Sequence, residues 1–153
     1  MANISTIRTA LANQIAEYAF PALRVEANPY DQINPPCAMI LPGKTVAKYG
    51  RTLGGPLQSL GGTQYAATDL NLDVLVIVSH ASTIERVQQN LDQWLGFEQD
   101  ETAVSVPMAI DRDITLGGVV EWCVPDNCDS YGPIEWNGTM YFGARIHCAI
   151  SLR

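Results

Sequence analysis

Residues 134–152 read IEWNGTMYFGARIHCAISL, and this stretch decides the fold class. Asn137-Gly138 is a type I′ turn signal, because both central residues of that turn need positive φ, which Asn and Gly adopt at little cost. Beyond the turn, Met140, Phe142, Ala144, Ile146, Cys148, Ile150 and Leu152 fall on one face. Tyr141, Arg145, His147 and Ser151 fall on the other. A side-chain period of two is the mark of a strand with one face buried. The chain is therefore expected to close on an antiparallel hairpin, 134–136 against 139–152.

Working outward, residues 64–79 form a second alternating run. Leu70, Leu72, Val74, Val76 and Val78 face one way; Asp69, Asn71 and Asp73 face the other. Past Asp73 the second face turns apolar with Leu75 and Ile77, so this strand should begin at a wet edge and end covered on both faces. Residues 37–42 read as an apolar strand, with 44–49 its partner or continuation, and 22–27 as a short strand. Residues 116–124 read as a strand, 125–132 as turns, and 103–110 fit helix or strand.

Two helices are expected. In 4–20, Ile4, Ile7, Leu11, Ile15 and Tyr18 recur at spacings of three and four, with Asn3 as N-cap and Pro21 as stop. In 82–96, Ser82 and Glu85 form a capping box, Ile84, Val87, Leu91, Trp94 and Leu95 form the stripe, and Gly96 follows the last turn. Strands outnumber helices and follow one another at the end. That is an α+β fold: a mostly antiparallel sheet with two main helices packed on one face. A single domain, 1–153, is expected. A long Gly-rich loop or arm at about 50–63 carries Gly54-Gly55, Gly61-Gly62 and the apolar Leu53, Leu57 and Leu60.

With 153 residues, 47% of them hydrophobic, the chain can bury a sizeable core. Its 16% charged residues fall below the typical ~25%, which points to subunit contacts. The net charge of −7 is unevenly spread. Residues 1–64 carry five basic against three acidic groups, and 65–136 carry two against thirteen. Such an acidic chain is a poor candidate for tight nucleic-acid binding, which needs basic groups on phosphates. Its asymmetry suits attraction between copies. Arg8, Asn13, Gln14 and Glu17 break up any apolar leader, and the Val74 to Val78 run falls far short of the ~20 residues of a membrane span. A reduced, cytosolic setting with four cysteine thiols is expected.

Catalytic and ligand motifs are weak. Ala38 to Thr45 (AMILPGKT) approaches a phosphate-binding loop, but Pro42 removes an amide and no helix opens after Thr45, so a strand ending in a Pro-Gly turn is expected. Cys123 and Cys128 have a zinc-like spacing without two further ligands nearby; Cys37, Cys148, His80 and His147 are scattered. Asp69 and Asp73 share a strand face but stand roughly 13 Å apart, too far for a glycosidase pair. His147 beside Arg145 reads as a surface residue, and Trp94, Trp122 and Trp136 as core. The expectation is no enzyme, no cofactor and no metal. A small hydrolase using Asp69, Asp73 or His80 is the enzymatic alternative.

The order of features carries a resemblance. A short amphipathic helix (Ile4-x-x-Ile7-Arg8-x-Ala10-Leu11) is followed by Pro35-Pro36-Cys37-Ala38-Met39-Ile40-Leu41-Pro42 and a glycine-rich excursion. Then come the aliphatic strand from Leu70 to Val78 and a helix with Arg86, Leu91, Asp92, Trp94 and Leu95. Ala109-Ile110, Leu116-Gly117-Gly118-Val119-Val120 and Tyr141-Phe142-Gly143-Ala144-Arg145-Ile146 complete it. Over nearly its full length the chain resembles the tail terminator (tail completion) proteins of long-tailed bacteriophages. The resemblance implies a structural protein of the virion tail and neck, assembled in the host cytoplasm. It would form a homo-oligomeric ring, a hexamer, that caps the finished tail tube, ends tube growth and meets the head-closure (connector) protein. DNA would pass through its lumen without specific binding, and no membrane is involved. On that reading Lys48, Arg51, Leu53, Leu57, Leu60 and Arg145 are interface residues, and Glu98, Asp100 and Glu101 line the lumen and repel phosphate. The alternative within the same particle is another neck or tail component, a head-closure protein or tube subunit.

Overall fold

The C-terminal hairpin is present, and its turn has the required backbone: φ is 49° at Asn137 and 80° at Gly138. The structure, a computed structural model, describes residues 3–20, 23–29, 33–52, 64–80, 84–96 and 104–152. In chain order its elements are α1 (Ile4–Tyr18), β1 (Arg24–Glu26), β2 (Cys37–Thr52), β3 (Gln64–His80), α2 (Ile84–Leu95), α3 (Val106–Asp111), β4 (Trp122–Trp136) and β5 (Thr139–Ser151). The strands form one five-stranded sheet in the order β1-β2-β3-β5-β4. β1 runs parallel to β2, and the other neighbours are antiparallel. The α+β expectation holds.

The helices lie on one face. Ile7, Leu11 and Ile15 of α1, Leu91 and Trp94 of α2, and Val106, Ala109 and Ile110 of α3 are buried with Leu70, Leu72, Val74 and Val76 of β3. Phe142, Ala144, Ile146, Cys148 and Ile150 of β5 join them, as their alternation predicts. The Asn3 carboxamide caps α1, accepting from the Thr6 amide at 2.8 Å. α3 is a third helix and resolves the ambiguity over 103–110. Ser105 caps it, and Pro107 stands in its first turn, where a missing N–H costs nothing. The buried Gln14 amide of α1 donates to the carbonyls of Ala109, Ile110 and Asp113 at 2.8–3.1 Å, so it caps the end of α3 from across the helix pair.

Several expectations change. Residues 116–124 are not one strand: Leu116, Gly117 and Gly118 all have positive φ, which an extended chain cannot hold. They form a turn gathered by the Asp113 carboxylate, which accepts from the Thr115 and Gly117 amides, and β4 starts only at Trp122. Conversely, the turn-rich residues 125–132 lie inside β4, where register shifts between Pro125 and Asn127 and between Asp129 and Gly132 absorb them as bulges. Of the two readings of 44–49, continuation is the one found: the strand at 37–42 does not stop at a Pro-Gly turn but runs to Thr52, taking Gly50 to Thr52 of the expected loop into β2; residues 53–63 lie outside the described residues. A register shift falls between Pro42 and Ala47. Gly43 is needed there, because a β-carbon would come within 2.9 Å of the Asn71 carbonyl oxygen. Finally, Trp94 is core, but Trp122 and Met140 are exposed: Trp122 alternates with Cys123, which points into the helix-side core, and Met140 lies at the start of β5 beside the hairpin turn.

The second face carries its own cluster, as Leu75 and Ile77 predict. Cys37, Met39, Leu41, Leu75, Ile77 and Tyr141 are buried together with Ile33, and Ile134 and Trp136 pack against them. Tyr141, expected to point to solvent, is buried here.

Candidate functional site

Next to that apolar cluster, the open face of the sheet holds its charged groups in one place. Asp73 of β3 stands opposite His147 of β5, and Arg145 of β5 stands opposite Asp129 of β4. Register thus brings three strands to one point. Arg145 Nε donates to Asp73 Oδ2 at 2.5 Å, and its Nη2 donates to the Pro42 carbonyl at 3.1 Å. His147 Nδ1 lies 2.7 Å from Asp73 Oδ1, and its Nε2 lies 2.7 Å from Asp129 Oδ2. Asp73 is only 2% exposed, whereas the Asp129 side chain is 61% exposed.

These contacts fix the charges. Each ring nitrogen faces a carboxylate oxygen, so the protonated imidazolium, which donates from both nitrogens, satisfies both contacts at once. Burial of His147 pulls its pKa down, but the bonds to Asp129 and Asp73 outweigh it, and the net shift is upward from the ordinary 6.5. The bond from His147 likewise holds the Asp129 carboxyl below the ordinary carboxylate value. Two cations balance two anions, which is the condition for keeping Asp73 out of water.

The quartet does not have the form of an acid–base centre. Both imidazole nitrogens are taken by carboxylates, so neither is free to accept a proton. The Ser130 hydroxyl is engaged, donating to Asp129 at 3.1 Å. The two carboxylates approach the ring from diverging sides and do not converge on one point, and no metal-binding group of three or more His, Cys, Asp or Glu occurs among the described residues. Beside Arg145, a groove of about 330 Å³ runs between Leu41, Leu75, Ile134 and Trp136.

The other expected site residues fall elsewhere. Asp69 is half-buried and lies on β3 at the register position of Lys48. His80 pairs with Tyr141 at the far end of β3, roughly 23 Å along the strand from Asp73, so the hydrolase set Asp69, Asp73 and His80 is not assembled. Lys48 and Arg51 lie in β2. Leu53, Leu57, Leu60, Glu98, Asp100 and Glu101 lie outside the described residues. Arg145 is engaged within its own chain. Cys123 is buried in the helix-side core while Cys128 is exposed, so the zinc-like spacing does not bring them together. Cys148 is also buried, and its bond to Cys123 together with burial pushes its thiol pKa well up, away from reactivity.

Past the site, β2 and β3 outrun the sheet. β1 pairs with β2 only over Cys37–Met39, and β5 leaves β3 at Asp69. Tyr49, Gly50, Arg51 and Thr52 still pair with Ala67, Ala66, Tyr65 and Gln64. This is a two-stranded ribbon about 14 Å long, with no third strand among the described residues. No protein-family model matches the chain, and no curated protein matches it.

Proposed function

We propose that this chain is a structural virion protein of the tail terminator kind: identical copies close into a ring on the finished tail tube, end its growth and present the surface met by the head-closure protein. The observation that carries this reading is the β2–β3 ribbon. Two strands alone are marginal in water, and their free edges invite pairing with another chain. The ribbon leaves the sheet at its basic end, where Lys48 and Arg51 lie, and leads directly into residues 53–63 with Leu53, Leu57 and Leu60. The opposite edge strand, β4, carries Asp126, Asp129 and Glu135. A basic arm on one side and an acidic edge on the other are the two unlike patches that a head-to-tail ring requires.

Mass photometry over a concentration series, with negative-stain imaging on tail tubes, tests the reading. The expected result is a closed hexamer that docks on tube ends, and its loss when residues 53–63 are replaced by a short Gly-Ser linker. A particle that stays monomeric at tens of micromolar overturns it. Rings that form but ignore tube ends assign the chain to another neck or tail position.

A further inference from the structure

The edge strand β4 is held from two sides at one place. In β4, residues 126–132 are bounded by register shifts on both ends, and Ser130 and Gly132 have φ of 55° and 143°. Between the shifts only Asn127, Cys128 and Asp129 keep register partners on β5, so the segment has a short ladder with an interruption on each side. Two side-chain contacts compensate. On the helix side, the Tyr131 hydroxyl donates to Asp92 of α2 at 2.7 Å. On the open side, Asp129 accepts from His147. We propose that residues 126–132 are a proton-controlled flap: charged His147 pins Asp129 to the sheet, and loss of its proton releases Asp129 and loosens the segment while the rest of the sheet stays closed.

The asymmetry of the two carboxylates sets the direction. Neutral imidazole has one N–H and can donate to one acid only. Asp73 is enclosed and cannot turn to water, so the ring keeps its Nδ1 proton there. Asp129 is mostly exposed, so its carboxylate exchanges the lost bond for water at little cost. Asp73 also retains Arg145. The charged and titratable groups around the ring are Asp73 and, farther along the face, Asp69 from β3; Arg145 from β5; and Asp129 with the neighbouring Cys128 from β4. On β2, Lys48 holds the register position of Asp69. Partial desolvation of the largely exposed Tyr131 and its bond to Asp92 push its pKa up to about 12, so the helix-side tie persists. The sign follows: the pinned state is complete below His147's ordinary 6.5 and fades as pH rises through its higher folded-state value. This inference concerns one edge strand and stands apart from ring formation.

Hydrogen exchange of the full-length protein from pH 6 to 9, corrected for intrinsic rates, tests it alongside an NMR titration of the His147 ring. Protection of amides in 126–132 is expected to fall about three- to tenfold across the His147 titration, with β3 unchanged. In Asp129→Asn the histidine midpoint should drop and the local pH dependence vanish. Flat protection in the wild type, or the same loss in Asp129→Asn, overturns the proposal. Should that variant not fold, the wild-type profile alone decides between the two outcomes.

Discussion

The two faces of the sheet are built on different principles. The helix-covered face is a continuous apolar layer drawn from three helices and the central strands, with Gln14 and Ser105 as its buried polar exceptions among the described residues. The open face is split into a small apolar cluster around Met39 and Ile77 and a charged quartet around Asp73. Burial area dominates the first; register dominates the second, because its groups meet only if β3, β4 and β5 align as they do. One face is tolerant of chemistry and sensitive to volume, and the other the reverse.

Truncation should show the volume sensitivity most strongly. Trp94→Ala on the helix face is expected to cost about 3–5 kcal/mol, measured by urea unfolding. Met39→Ala on the open face should cost less, near the lower end of the about 2–5 kcal/mol seen for such changes, because fewer groups surround it. Equal costs would erase the contrast.

Asp73→Asn probes the other principle at nearly constant volume. It leaves Arg145 and charged His147 side by side without their shared anion. The expected loss is about 3 kcal/mol, the low end for a broken buried pair, since Arg145 and His147 keep contact with water. The corresponding isosteric change on the helix face, Val74→Thr, tests whether polarity there is equally costly. If Asp73→Asn unfolds at the wild-type urea midpoint, the quartet contributes only specificity.

Gln14→Leu brings the two principles together. It keeps the volume but leaves the carbonyls at the end of α3 without their donor, for an expected loss of about 1–3 kcal/mol. A neutral result would mean that water caps α3 and that even this face is indifferent to polar detail.

The sequence made the first face readable and hid the second, for physical reasons. Period-two runs from Leu70 to Val78 and from Phe142 to Ile150 report directly which side is buried, and Asn137-Gly138 reports where the chain reverses. The wet start and covered end of β3 were legible in the switch from Asp73 to Leu75. The quartet was not. Asp73 and His147 lie 74 positions apart, and only the β3–β5 register pairs them. The one available signal was that Asp73 and the Arg145–His147 pair both fall on the minor face of their strands. Local turn signals misled in both directions. Leu116-Gly117-Gly118 is flanked by strand-like residues yet curls around Asp113, and Pro125 to Gly132 is full of turn residues yet bulges within β4. A bulge and a turn use the same residue types, and only the neighbouring strand distinguishes them.

The smallest effect sharpens the comparison most. If the open face is governed by register and charge, its stability should depend on pH where the helix face's does not. His147 has a raised folded-state pKa, so its contribution is complete below 6.5 and is lost as pH climbs through the folded value. The lost bond ends on the exposed Asp129, so the change in global stability between pH 6 and 9 should stay below about 1 kcal/mol. Asp129→Asn should flatten that slope and Trp94→Ala should leave it intact while lowering the whole curve, as urea midpoints across the pH series would report. A slope that survives Asp129→Asn would place the titrating contact between His147 and the buried Asp73 instead, and the open face would then owe its pH response to its interior carboxylate.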